Sequence, residues 1–141
     1  MNDSTYMFLN SIRFIDTRIK RLQAKRYQLE VCLLPTGIRY DKDRVQTSPE
    51  DTITKICAEI AQIDADIATL TEQRYRQVVE VDRVLGLLKD NEQTVLILRY
   101  VQRIPVKEIA KNLQYSVDNI QKIRRAGVDH LTEILERGAK E

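Results

Sequence analysis

The chain has no tryptophan, two phenylalanines and one histidine, and aromatic residues make up 6% of its 141 positions. Only four glycines and three prolines interrupt it. What remains is rich in Ala, Leu, Ile, Glu, Lys, Arg and Gln, the composition of a helical protein. No apolar run approaches the roughly 18 residues that a membrane span requires. No signal-peptide core follows the start. The expectation is a soluble, cytoplasmic protein with no membrane contact. Cys32 and Cys57 form no CxxC pair and have no histidine cluster nearby, so they read as free, partly buried thiols rather than metal or redox ligands. His130 has no serine, cysteine or carboxylate partner that the sequence can place, and reads as a surface or edge-of-core residue. There is no Gly-rich phosphate loop. Glu59, Asp64, Asp66, Glu72 and Glu80 fall on flanks and outer positions of a helical pattern, not in an acid/base dyad. The sequence therefore names no catalytic residue, no metal ligand set and no cofactor, and points away from an enzyme. A net charge of +2 does not announce a nucleic-acid binder either, so any such reading depends on where the charges sit.

What is present is periodicity. At this length one domain or two small helical modules is the natural prior. From about Ser4 to Leu33, Phe8, Ile12, Ile15, Ile19, Leu22, Leu29 and Leu33 alternate steps of four and three, with only the Arg26 slot polar. That is a narrow heptad seam rather than a broad core face. Residues 34–48 break it with Pro35, Gly37 and several charges. Ser48-Pro49-Glu50-Asp51 then restarts a helix, with Ser48 as cap, Pro49 at the first position and acids at the positive end of the dipole. Ile53, Ile56, Ile60, Ile63, Ile67, Leu70, Arg74, Gln77, Val81, Val84 and Leu88 continue the rhythm, with only Arg74 and Gln77 polar.

Two such helices joined by one connection are expected to pair antiparallel as a coiled-coil hairpin spanning 1–89. Its seam would be carried by Ile12, Ile15, Ile19, Leu22, Ile60, Ile63, Ile67 and Leu70. Charge agrees: residues 1–33 hold six basic and three acidic residues (+3), and residues 49–89 hold five basic and eight acidic (−3). The register expected sets Lys25 near Asp66 and Leu9 near Val78. The alternative sets Asp16 against Asp64, two like charges. At the preferred register the two cysteines lie on opposite sides of the seam, which predicts no disulfide. Pairing within one chain and exchange between two, giving a homo-oligomer, both satisfy the pattern. The loop is long for a helical hairpin and carries Arg39, Tyr40, Lys42 and Arg44, as a solvated connector or a contact surface.

Past Leu88 the narrow seam gives way to short, broadly apolar helices over 90–141. Asp90 or Asn91 can cap the first, which runs through Val95-Leu96-Ile97-Leu98-Arg99-Tyr100. Pro105 opens the second, ending near Leu113. Gln114-Tyr115 makes a turn and Ser116 caps the third, which buries Ile120, Ile123, Gly127, Leu131 and Ile134 by spacing. Two helices joined by so short a turn have the sequence form of a helix-turn-helix. The fold expected is all-α, a long antiparallel hairpin followed by a three-helix module.

Leu98-Arg99-Tyr100, Glu108-Ile109-Ala110, Leu113 and Ser116 carry a resemblance to the promoter-recognising region 4 of sigma factors. That region shows a Leu-Arg-aromatic helix, Glu-Ile-Ala, a Leu-Gly turn, a Ser or Thr cap and a basic final helix. Over its full length, with the linker Asp43-Arg44-Val45-Gln46-Thr47-Ser48-Pro49, the chain resembles phage-encoded sigma-like regulators of Gram-positive bacteria, grouped with late-gene regulators of the ArpU or RinA type. The resemblance implies a DNA-binding transcription regulator in a bacterial host cell, with double-stranded DNA as partner and RNA polymerase as a second one. Two departures stand out. Gln114 replaces the usual Gly, which implies either a different turn or a strained left-handed residue. Val117, Asp118, Gln121 and Lys122 stand where sigma factors carry Arg, Glu, Arg and Gln, so the usual −35 element is not the expected target. No region 2 accompanies the motif in these residues, so melting a promoter as a complete sigma factor does is not expected.

The helical projection of the last helix agrees in part. With Ile120, Ile123 and Gly127 inward, Asp118, Lys122, Arg125 and Asp129 face outward, with Gln121 beside them. Lys122 and Arg125 suit guanine edges or phosphates, Gln121 adenine and Asp118 cytosine, and together with Val117 they form the expected base-reading set. Arg103, Lys107, Lys111 and Ser116 are candidates for the DNA backbone, and Arg124, nearer the buried edge, for phosphate contact or packing. The two acids on this face argue for an ordinary solvated surface instead. Rival functions are a DNA-packaging component of small-terminase type, and an adaptor that docks on RNA polymerase without binding DNA.

Overall fold

A computed structural model describes residues 3–34 and 49–140, with the side chains of Ala139 and Lys140 left aside. The expected loop residues Pro35, Gly37, Arg39, Tyr40, Lys42 and Arg44, and the cap Ser48, lie outside the described residues. Every regular element among the described residues is helical: α1 (Asp3–Leu9), α2 (Ser11–Cys32), α3 (Pro49–Leu85), α4 (Asp90–Leu96) with a π-helical turn (Ile97–Val101), α5 (Val106–Leu113) and α6 (Val117–Lys140). The all-α expectation holds. Among the described residues no helix is long and apolar enough to cross a membrane.

The chain forms two compact units, Ile15–Arg74 and Met1–Phe14 with Tyr75–Glu141. Both divisions fall inside helices, within α2 and within α3.

In the unit Ile15–Arg74, α2 and α3 lie antiparallel, and polar residues in the seam fix their register. Arg26 Nε donates to Asp64 Oδ1 at 2.7 Å, and Arg74 Nε donates to Asp16 Oδ1 at 2.6 Å. Arg26 and Arg74 are two of the three polar interruptions in an otherwise apolar seam. A polar residue at a seam position costs stability but specifies one alignment, because any slip strands it. The carboxylate of Asp64 raises the Arg26 guanidinium pKa, chiefly through this hydrogen bond. Asp16 and Asp64 thus each meet an arginine instead of one another, and Lys25 and Asp66 line one groove, as the expected register requires. Of the seam residues in this unit, only Ile63 and Leu70 are buried, while Ile15, Ile19, Leu22, Ile60 and Ile67 are half-buried. Two helices without a third layer cover only one stripe of each other. For the same reason Cys32 and Cys57 are free and exposed, correcting the expectation of partly buried thiols.

The second unit holds two apolar clusters. The larger is built from Leu9, Ile12, Val81, Val84, Leu85, Leu88, Leu96, Val128 and Leu131. It mixes the first and last stretches of the chain, so the N-terminal helix is not only half of a hairpin. The single helix expected from Ser4 to Leu33 is interrupted at Asn10, where two side chains compete for backbone groups. Asn10 Nδ2 donates to the Tyr6 carbonyl at 2.9 Å, and Ser11 Oγ donates to the Phe8 carbonyl at 2.6 Å. α1 packs against α6, where the hydroxyls of Thr5 and Thr132 meet at 2.8 Å. The third polar seam residue, Gln77, donates from Nε2 to Ser11 Oγ at 2.8 Å. The smaller cluster, Val95, Ile109, Ala110 and Ile120, joins α4, α5 and α6. Val95 and Leu96 are neighbours in sequence, about 100° apart on α4, and each feeds a different cluster.

Candidate nucleic-acid interface

α5 and α6 are joined by Gln114, Tyr115 and Ser116. Gln114 is left-handed (φ 60°, ψ 38°), and its N–H reaches the Ala110 carbonyl. Tyr115 N–H reaches the same carbonyl at 2.9 Å, the 6→1 bond of a Schellman ending. The position implied for glycine is therefore used in the glycine conformation by a residue with a Cβ. A left-handed residue costs about 1–2 kcal/mol, and glycine's extra unfolded-state entropy returns about 0.5–1 kcal/mol of that. Gln114→Gly is expected to raise stability by up to about 1 kcal/mol, measured as a shift of the urea midpoint without a change of slope. Ser116 caps α6 as the sequence requires, accepting the Asn119 N–H on Oγ at 3.1 Å. The cap of α4 differs from expectation. It falls on Lys89, which contributes no side-chain bond, while Asn91 Oδ1 accepts the Glu92 N–H at 2.8 Å.

Ahead of α5 the chain leaves α4 through the π-helical turn, closed by Gln102 N–H to the Ile97 carbonyl at 2.9 Å. Arg103 comes next with φ 58°, the second non-glycine left-handed residue among those described. Such bulges widen a helix by one residue and re-aim the chain beyond them.

Ile120 is fully buried and anchors α6, with Ile123 half-buried beside it. The opposite side presents Asp118, Lys122 and Arg125, all exposed, and Val117 is exposed at the start of the helix on its flank. Ser116 and the cations Arg103, Lys107 and Lys111 are exposed as well. Among the described residues none of these five cations, Arg103, Lys107, Lys111, Lys122 and Arg125, has an ion-pair partner. Residues 103–125 hold six basic and two acidic residues (+4), against +2 for the whole chain. The modest total charge conceals a basic patch centred on this motif.

Two expected contact residues are placed differently from the rest. Gln121 and Arg124 are half-buried and joined, Arg124 Nε donating to Gln121 Oε1 at 2.8 Å. Arg124 Nη1 donates to the Tyr100 hydroxyl at 3.2 Å, and the Tyr100 ring meets Tyr6 edge-on at 6.2 Å. Sequence reading found Arg124 near the buried edge but not its partners.

It also missed a pairing behind the motif. Glu92 is 4% exposed, and His130 Nδ1 lies 2.8 and 2.9 Å from its two carboxylate oxygens. Gly127, one turn before His130, is what brings α6 so close to α4. A Cβ there would sit 3.2 Å from Leu96 Cδ1 and 3.3 Å from Glu92 Cβ. No local signal links positions 38 apart, though a carboxylate in the first turn of an apolar helix was the hint available. Among the described residues no buried side-chain polar atom is left without a partner, and no group of three acidic, cysteine or histidine residues could hold a metal.

Residues 84–133 match the family model described as Sigma-70, region 4. The match begins at Val84 and spans α4, the π turn, α5 and most of α6, so the helix-turn-helix segment is similar to sigma region 4. No curated protein and no solved structure matches the chain.

Proposed function

We propose that the protein is a sequence-specific, DNA-binding transcription regulator that reads the major groove with α6. We place it among phage or prophage activators of the ArpU or RinA type, acting in the cytoplasm of a bacterial host. The observation that carries the reading is the exposed α6 row of Asp118, Lys122 and Arg125, set in a basic patch within the region 4 match. Base contacts are assigned to Val117, Asp118, Gln121, Lys122 and Arg125, and backbone contacts to Arg103, Lys107, Lys111 and Ser116. The α2–α3 pair acts as a coiled coil that sets oligomeric state or touches RNA polymerase.

A selection from random double-stranded DNA at near-physiological salt yields the site. Against it, Lys122→Ala and Arg125→Ala are each expected to lose about 1–3 kcal/mol of binding with unchanged melting. Lys107→Ala is expected to weaken all sequences alike and to lower the salt slope by about one. Full-strength binding by both α6 variants would remove α6 from the reading role. Retention without an enriched sequence would reduce the activity to backbone binding.

A further inference from the structure

We propose that Arg124 and Tyr100 are positioning residues that hold Gln121 as a hydrogen-bond donor toward DNA, so that Gln121 selects a base presenting an acceptor, guanine or thymine, rather than adenine. The inference rests on α6 being the recognition helix and deepens that reading.

Glutamine carries an acceptor oxygen and a donor nitrogen, and a free glutamine uses both to pair with adenine N6 and N7. Arginine has donors only. The bond from Arg124 Nε at 2.8 Å must therefore be taken by the Gln121 oxygen, whichever way the amide would otherwise turn. With Oε1 turned toward Arg124 on its own helix, Nε2 is the group left to point at a base. Arg124 cannot swing away freely, because its Nη1 is held by the Tyr100 hydroxyl at 3.2 Å. Tyr100 in turn is set by the Tyr6 ring and by the larger apolar cluster. Guanine offers O6 and N7, and thymine offers O4, to such a donor. Adenine offers only N7 beside a donor amine, and cytosine offers a donor amine. This arrangement reassigns Arg124: a guanidinium spent on Gln121 and Tyr100 orients a reader instead of gripping a phosphate.

The test is site selection with the full chain and its variants, each checked by thermal melting. Gln121→Ala identifies the position read, as the one where preference flattens. The wild-type protein is expected to show guanine or thymine there. Arg124→Met, which keeps length but donates nothing, is expected to raise adenine at that position alone by roughly tenfold, the worth of a bidentate pair. Tyr100→Phe keeps the ring and is expected to shift the same position in the same direction, by less. An Arg124→Met protein that loses affinity for all sequences equally, with a reduced salt slope, would overturn the proposal in favour of a phosphate contact. Adenine at the Gln121 position in the wild-type site would overturn it as well. A wild-type protein that enriches no sequence would overturn the DNA-reading assignment itself, and this inference with it, before any variant is compared.

Discussion

Residues 90–141 produced alone are expected to be largely unfolded at 25 °C, although they contain the whole helix-turn-helix. The reason lies in the larger cluster, where Leu9, Ile12, Val81, Val84, Leu85 and Leu88 are each at most 8% exposed. Fully burying one aliphatic side chain is worth about 1.5–3 kcal/mol. Six of them amount to about 10 kcal/mol, and still several after a discount of about a third for a compact unfolded state. A domain's entire stability is about 5–15 kcal/mol. Removing residues 1–89 would also expose Leu96, Val128 and Leu131, which are fully buried in the intact protein. Circular dichroism and a thermal melt decide the matter. Native helicity with a cooperative transition would show that the smaller cluster suffices. A fragment beginning at Tyr75 recovers four of the six residues and is expected to regain part of its helicity, but not the contacts of Leu9 and Ile12.

Leu96→Ala carries the next largest effect, an expected loss of about 3–5 kcal/mol, from transfer and cavity terms combined. Leu96 is fully buried, and its Cδ1 and Cγ are two of the three side-chain atoms nearest a Cβ placed on Gly127, the third being Glu92 Cβ. That geometry predicts a sign change. In the wild-type background Gly127→Ala sets a helix-propensity gain of about 1 kcal/mol against overpacking of about 1–3 kcal/mol, and a net loss is expected. In the Leu96→Ala background two of the three close contacts disappear, and the same substitution is expected to stabilise by about 1 kcal/mol. Denaturant melts of the four proteins close the cycle, which isolates the pair's coupling. Identical effects of Gly127→Ala in both backgrounds would show that α6 does not depend on Leu96 for its spacing from α4.

Much of the fold was legible because its signals are local. The three-four rhythm marked the long helices, and the motif around Glu108, Ile109 and Ala110 marked the helix-turn-helix. Gln114 at a position implied for glycine flagged the left-handed turn, and Ser116 was recognisable as a cap. Even Arg26, Arg74 and Gln77, which looked like defects in the seam, stood out because periodicity made them exceptions. Their partners Asp64, Asp16 and Ser11 were not legible at that resolution, since a heptad pattern fixes which stripe faces the neighbour but not which atom meets which. The candidate contact residues divide the same way. The projection of α6 separates the outward Asp118, Lys122 and Arg125 from the inward Ile120. It could not tell that Gln121 and Arg124, on the flank, are bound to each other and to Tyr100.

By itself the sequence determined that this protein is all helical, that its two long helices pair antiparallel with charge favouring one of two registers, and that a helix-turn-helix resembling sigma region 4 follows them. Each of these rests on interactions within a few turns of helix or on a heptad repeat whose flanking charges favour one alignment. The tertiary structure alone decided that α1 shares a core with α6, that Glu92 is buried against His130, and that Arg124 turns toward Tyr100. Those contacts join residues 127, 38 and 24 positions apart. At such separations the partner is chosen by how apolar faces pack, and no periodicity in the chain records that choice.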